Sequence, residues 1–225
     1  MARIRRTVTL GAATLAALAL AVPSASAQTT TIRAGSATAA AYSGNVQASL
    51  LGTATVSSSL GGGSCNQSTL TGGIQSDGSA LTINSASFNT NGGPCSGTFA
   101  ATITTENLPW TGGSVVYDTA HTGGRDAAVT IANFRVKVVI DFLGGITCYY
   151  GGNLAASGFN PDNANRGDTT VNEAQVGVNN ASVTKINSGS NIFCPGTATV
   201  TANYKLLGET TAGSGTYDQT LYVTE

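Results

Sequence analysis

Four cysteines, one histidine and a thin scatter of acids are the side chains in this 225-residue chain with chemistry to offer. Cys65, Cys95, Cys148 and Cys194 lie far apart along the chain, whereas a metal site needs cysteines or histidines in close pairs. An even number of widely spaced cysteines in an exported chain points to two disulfides, with no metal and no cofactor expected. His121, in Asp118-Thr119-Ala120-His121, is the one general base of the usual kind. No serine sits in a Gly-x-Ser-x-Gly elbow, and each cysteine is assigned to a disulfide, so His121 has no activated nucleophile to serve. A surface loop histidine is the expectation. Asp77, Glu106, Asp118, Asp126 and Asp141 are spread through the central region, and a two-carboxylate glycosidase needs two acids to meet in space. No pair is marked by aromatic neighbours. The chain therefore reads as a non-enzyme, with a hydrolase of dispersed acids as the remote class.

Three other stretches invite a chemical reading. Counting from Asp162, positions 1, 3, 5 and 7 of a calcium loop fall on Asp162, Ala164, Arg166 and Asp168, and two of these cannot ligate through their side chains. Leu108-Pro109-Trp110-Thr111-Gly112 spells a sortase pattern, but 113 residues follow it and the chain ends at Thr224-Glu225 with neither an apolar segment nor a basic tail. A turn at Pro109 and packing of Trp110 are expected instead. Trp110, Tyr149 and Tyr150 are the candidate ligand-binding residues, as an aromatic platform for a sugar ring or another small ligand.

The address of the chain bounds these readings. Arg3, Arg5 and Arg6, the apolar run Val8 to Val22 and Ala25-Ser26-Ala27 make a signal peptide over residues 1–27, cleaved after Ala27. The run is short for a membrane span and no second one follows. Arg5-Arg6 also begins a twin-arginine signal, which Thr7-Val8-Thr9 continues poorly, so general secretion is expected. Cleavage removes three arginines and no acid, leaving a net charge of −4. A mildly acidic chain with 9% charged residues argues against nucleic acid and anionic lipid as electrostatic partners. Its surface must be covered by Thr, Ser, Asn and Gly.

Many short alternating runs supply the elements. Residues 28–41 are Thr- and Ala-rich with little to bury, either a loose arm or a donor-like strand. From Tyr42 the period-two pattern sets in, with Val46, Ala48 and Leu50 on one face. Leu70–Ile74 and Leu81–Phe88 flank Asp77-Gly78, a strong hairpin signal. Phe99, Ala101 and Ile103 alternate with threonines, and Val136, Val138, Ile140 and Phe142 alternate with Arg135, Lys137, Val139 and Asp141. Ala198, Val200, Ala202 and Tyr204 repeat the pattern near the end, before a closing strand at Leu221-Tyr222-Val223. No amphipathic helix is visible. The expectation is one all-β domain over residues 42–225, a Greek-key-like β-sandwich with two disulfides.

A faint internal repeat selects among the three possible cysteine pairings. Cys65 precedes Leu70-Thr71-Gly72, then Asn84-Ser85-Ala86-Ser87-Phe88 and Cys95. Cys148 precedes Leu154-Ala155-Ala156, then Asn180-Ala181-Ser182-Val183 and Cys194. If both halves follow one plan, the pairs are Cys65–Cys95 and Cys148–Cys194.

Cys65, Thr71-Gly72, the strand Leu81–Phe88, Cys95 and Leu108-Pro109-Trp110, with a second cysteine pair towards the C-terminus, resemble secreted bacterial β-sandwich proteins of the PraB (alkane oxidation protein activator) type. The resemblance spans about Tyr42 to Tyr204, and departs in the long Trp110–Cys148 interval and the Asn160–Thr170 loop. It implies an extracellular or surface-associated protein, some members being associated with biofilm fibres. The expected function is thus a secreted, non-enzymatic protein of the cell envelope or extracellular matrix. Its partners would be copies of itself, joined through the arm, or other surface proteins. The alternative is an extracellular carbohydrate- or small-ligand-binding module.

Overall fold

The computed structural model describes residues 29–225, and the expected signal peptide at residues 1–27 lies outside the described residues. The strands are β1 (Thr31–Ala34), β2 (Gly44–Ser58), β3 (Gly61–Cys65), β4 (Gln67–Ile74), β5 (Leu81–Asn89), β6 (Ser96–Gly97) and β7 (Ala101–Thr105). They continue as β8 (Trp110–Tyr117), β9 (Ala127–Ile140), β10 (Ile146–Phe159), β11 (Ala174–Lys185), β12 (Thr197–Glu209) and β13 (Tyr217–Thr224). One 3-10 turn, Thr122–Gly124, is the helical content of the described residues.

Eight strands lie side by side in the order β12, β11, β10, β9, β8, β5, β4, β2, and β2 then pairs back onto β12. That last ladder runs antiparallel from Val46↔Gly208 to Ser57↔Thr199 and shuts the ring. The fold is therefore a closed eight-stranded β-barrel, and the expected β-sandwich is wrong. The reason is physical. Alternation tells each strand which face is apolar, and a sandwich and a barrel satisfy it equally. What separates them is whether the first and last long strands meet. Here β2 and β12 run for 15 and 13 residues, long enough to share a ladder over most of their length.

Side chains alternate inward and outward along these strands. Val46, Leu70, Ile83, Val129, Val136, Leu154 and Val183 are buried, while the outer face carries threonine, serine and asparagine. This is apolar inside and polar outside, the reverse of a membrane-spanning barrel.

Two of the barrel positions are built from broken strands. β3 and β4 both pair with β2, one above the other, and β7 and β8 both pair with β9. Between β7 and β8 the chain bulges at Glu106–Pro109, and the Trp110 indole N–H donates to the Glu106 carbonyl at 2.8 Å. Trp110 is 1% exposed, with its ring 4.9 Å from that of Phe134 inside the barrel. A matching kink in β9 places Asn133 at φ 57, where its side-chain amide donates to the Thr111 carbonyl at 2.8 Å. Gly72 stands at the β4–β5 irregularity, where a Cβ would come within 1.8 Å of the Thr82 carbonyl oxygen.

Disulfides join Cys65 to Cys95 and Cys148 to Cys194. Both sit towards the upper end, the end that carries the β9–β10 hairpin. They close loops of 30 and 46 residues, each worth about 3–4 kcal/mol by chain entropy. The lower end carries the β8–β9 and β10–β11 loops and is capped by β13 and β1, which pair from Thr31↔Thr224 to Ala34↔Leu221. Ile32 is buried there and its carbonyl accepts the Tyr42 N–H at 2.7 Å. Residues 31–34 of the arm thus pair with β13 of their own chain.

Replacing Trp110 by Ala removes the largest interior side chain. It is expected to destabilise the barrel by about 3–5 kcal/mol, measured as a shift in the urea midpoint followed by far-ultraviolet circular dichroism. A shift below about 1 kcal/mol would mean that the indole does not fill the barrel interior.

Candidate functional site

An eight-stranded barrel has an interior just wide enough for side chains to fill it or to hold one small molecule. Here the filling is incomplete, because Ala48, Ala54, Gly72, Ala127, Gly158 and Ala198 occupy lining positions. Two apolar cavities result. The lower one, about 110 Å³, lies among Val46, Ile74, Leu81, Val129, Val178 and Leu221. The upper one, about 150 Å³, lies among Ala54, Phe88, Ile103, Phe134, Val183 and Ala198.

Tyr204, from β12, lines both and forms the partition. Its hydroxyl lies 3.1 Å from the Ser68 Oγ, a buried contact in which either oxygen donates. Burial pushes the Tyr204 phenol up, against a smaller opposing pull from Ser68, so the phenol is neutral at physiological pH. Two further polar side chains of the walls, Tyr150 and Gln175, are also engaged. The Tyr150 hydroxyl donates to the Pro195 carbonyl at 3.1 Å, and burial pushes this phenol up as well. The Gln175 amide N–H donates to the Asp168 carbonyl at 2.6 Å, while its oxygen accepts from the Asp168 N–H and from Asn203. With these groups satisfied, the space is faced mainly by carbon.

Each cavity has a lid. At the lower end Asn160 clamps β13 by donating to the Val223 carbonyl at 2.9 Å and accepting its N–H at 2.8 Å. At the upper end the lid is the strap of residues 90–100. The β5–β8 ladder stops at Ile83↔Trp110, and the strap crosses the upper opening before the chain re-enters as β7. Cys95 exchanges backbone hydrogen bonds with Ala101 at 2.8 and 3.0 Å, and its disulfide fixes it to Cys65. Ser96–Gly97 pairs with Gly63–Ser64, the Thr98 N–H donates to the Gly62 carbonyl at 2.9 Å, and the Phe99 ring lies 4.6 Å from that of Phe142. Cys65, Cys95, Thr98 and Phe99 all line the upper cavity.

The three aromatic candidates do not share a surface. Trp110 and Tyr150 are buried inside, at 1% and 6% exposure, whereas Tyr149 points outward with the Arg135 guanidinium 5.7 Å from its ring centre. A stacking platform for a sugar ring is not formed. Tyr204 and the small residues around it are the cavity-lining positions that sequence reasoning missed. The alternation placed Tyr204 on a strand face, but nothing marked that face as the wall of a cavity.

Asp118, Asp126 and His121 are loop staples at the lower end, whereas Glu106 and Asp141 lie away from it. Asp118 accepts the Arg125 Nε–H at 2.6 Å and the backbone N–H groups of Ala120 and Thr122. Asp126 accepts from the Asn160 N–H and the Asn163 amide at 2.7 and 2.8 Å. His121 is exposed, with Nδ1 3.1 Å from the Arg125 carbonyl and 3.5 Å from Asp126. The calcium-like loop supplies its own cation. The Arg166 guanidinium donates to the carbonyls of Asn163, Thr169 and Val171 at 2.7, 3.0 and 3.2 Å. Among the described residues no three His, Cys, Asp or Glu side chains cluster to hold a metal, and no cysteine is free. No catalytic constellation is assembled among them.

No protein-family model, curated protein or solved structure matches the chain.

Glu209 is 5% exposed and accepts the N–H groups of Gly213 and Gly215 at 2.7 and 2.8 Å, which pins the β12–β13 connection. The Gly213 N–H first, then Gly215 and the Asn45 amide, hold its carboxyl below the usual glutamate range. Arg125 does the same for Asp118. A carboxylate lowered on folding adds stability above its unfolded value and loses it as pH falls through its folded value. The melting temperature is therefore expected to fall on acidification from the ordinary carboxylate range downwards. Glu209→Gln should be less stable than the parent at neutral pH and should converge with it in acid. A constant gap at all pH values would show that the charge on Glu209 has no part in the connection.

Proposed function

We propose that the chain is an extracellular, non-enzymatic barrel that binds a small apolar molecule in its interior. The upper cavity carries this reading: about 150 Å³ of lidded, mainly carbon-lined space in a closed barrel. A dry apolar cavity of about this size accepts benzene or xenon, and needs no polar group to do so. The space is too small for a drug-sized ligand, whose pockets are about 300–1,000 Å³. Its lining is mainly apolar, and Ser58, Ser64, Thr98 and Tyr150, with Tyr204, are a poor match to the many hydroxyls of a sugar. The ligand class is thus a compact hydrocarbon-like molecule near the size of benzene. Binding is driven by removal of apolar surface from water and by dispersion contacts otherwise missing across the void. Two disulfides suit an oxidising compartment, and the polar outer face of the barrel wall suits contact with water.

Benzene is the direct probe. Titration should give saturable shifts of the methyl signals of Ile103, Val183 and Ala198, as measured by carbon–proton correlation spectroscopy. Ala54→Leu places three further carbons in the upper cavity and should abolish those shifts, with a melting temperature equal to or above that of the parent. Ala198→Val, a smaller filling, should weaken them. Absence of methyl shifts in the parent, or shifts of equal size in Ala54→Leu, would overturn the proposal.

A further inference from the structure

The two ends of the barrel differ sharply in what they show to solvent. Among the described residues four large apolar side chains are exposed, and three of them, Leu143, Ile192 and Phe193, stand on upper-end loops at 76, 86 and 58% exposure. Leu143 tips the β9–β10 hairpin. Ile192 and Phe193 tip the β11–β12 loop, which is bound to β10 beside that hairpin. The Cys148–Cys194 disulfide and the Asn191 N–H, donating to the Thr147 carbonyl at 2.9 Å, make that attachment. The tips are therefore held by covalent and backbone bonds rather than by burial of their own side chains. Exposure of this degree in large apolar residues marks a contact surface.

Charge is distributed in the same sense. Of the eleven acidic side chains, only Glu106 and Asp141 lie away from the lower end and its connections. The β2–β3 turn, the strap at residues 90–100 and the β11–β12 loop contain no acid and no base. Lys137 and Lys185 stand on the strands just behind the apolar tips. Protruding Leu, Ile and Phe with lysines one layer back, and every acid but Glu106 and Asp141 at the far end, complement a lipid surface. Asp141, at the base of the β9–β10 hairpin, is the one carboxylate beside the tips. The apolar tips enter the acyl boundary while the lysines stay at headgroup level. Single side chains projecting from separate loops suit insertion into a fluid interface better than packing against a flat protein face. The upper cavity reaches the same end, where Leu60, Thr98 and Phe99 line it.

We propose that the upper end of the barrel docks on a lipid bilayer through Leu143, Ile192 and Phe193. The docking sets the lidded end of the upper cavity against an apolar phase, which is where a hydrocarbon-like ligand concentrates. In its use this proposal rests on the cavity reading, but its test does not.

Flotation of the mature chain with phosphatidylcholine vesicles, with and without phosphatidylglycerol, is the experiment. The parent should float with both, because the apolar tips rather than charge drive the docking. The double variant Ile192→Ser, Phe193→Ser changes only exposed positions and should partition about tenfold or more weakly, as should Leu143→Ser to a lesser degree. Both variants should keep the parent's melting temperature and benzene-induced methyl shifts. A parent that binds benzene but floats with neither vesicle would overturn the docking and leave the cavity reading intact. Equal flotation of the double variant would also overturn it. So would self-association of the parent without lipid that the double variant abolishes, because the occupant of the surface would then be a second copy. Flotation lost with the tips, in a protein that does not bind benzene, would uphold the docking and remove the cavity reading.

Discussion

The ladder between β2 and β12 makes the first and last long strands neighbours and leaves the barrel sheet without a free edge. Closure fixes the interior. With eight strands the radius is set by strand number and tilt, so side chains can no longer adjust the distance between walls as two stacked sheets can. Whatever the inward residues fail to fill remains empty. Alanine and glycine at lining positions therefore become cavities, and Tyr204, reaching across from β12, becomes a partition. The apolar sites are thus a consequence of closure combined with small residues, and they need no feature of their own in the sequence.

Much of the local structure was legible. The Asp77-Gly78 turn and the alternation of Val136 and Val138 lead to observed strands, as does the run from Ala198 to Tyr204. Cys65 and Cys95 meet because one lies on β3 beside β2 and the other on the strap that returns over it. The architecture was not legible, because β2 and β12 find each other across about 150 residues and period-two alternation carries no mark of that partner. Trp110 illustrates the same limit for the site. Its chemistry suits a ligand platform and an interior plug equally, and only the bulge at Glu106–Pro109 turns it inward. The N-terminal arm shows a related limit. Ile32 is a single large apolar residue in a weak segment, yet β13 offers it an edge and a buried place.

The two ends divide the work. At the lower end carboxylates hold loops by accepting backbone N–H groups, and Arg166 fills with its guanidinium the place a loop cation would take. These groups are mutually satisfied and leave little for a ligand. At the upper end the chain uses disulfides in place of charges, with a strap of small and polar residues over the larger cavity. A covalent anchor lets that end hold its shape with few charges, Lys137, Asp141 and Lys185. The chain has 9% charged residues, and their placement concentrates on one end what a typical domain spreads over its surface.

Crystals of residues 28–225 pressurised with xenon test the central claim most directly, because xenon enters dry apolar space and ignores polar space. The account predicts two xenon peaks inside the barrel, one on each side of the Tyr204 ring, with the larger occupancy above it among Ala54, Phe134 and Val183. Ordered water in those positions, or a barrel interior with no xenon, would contradict it.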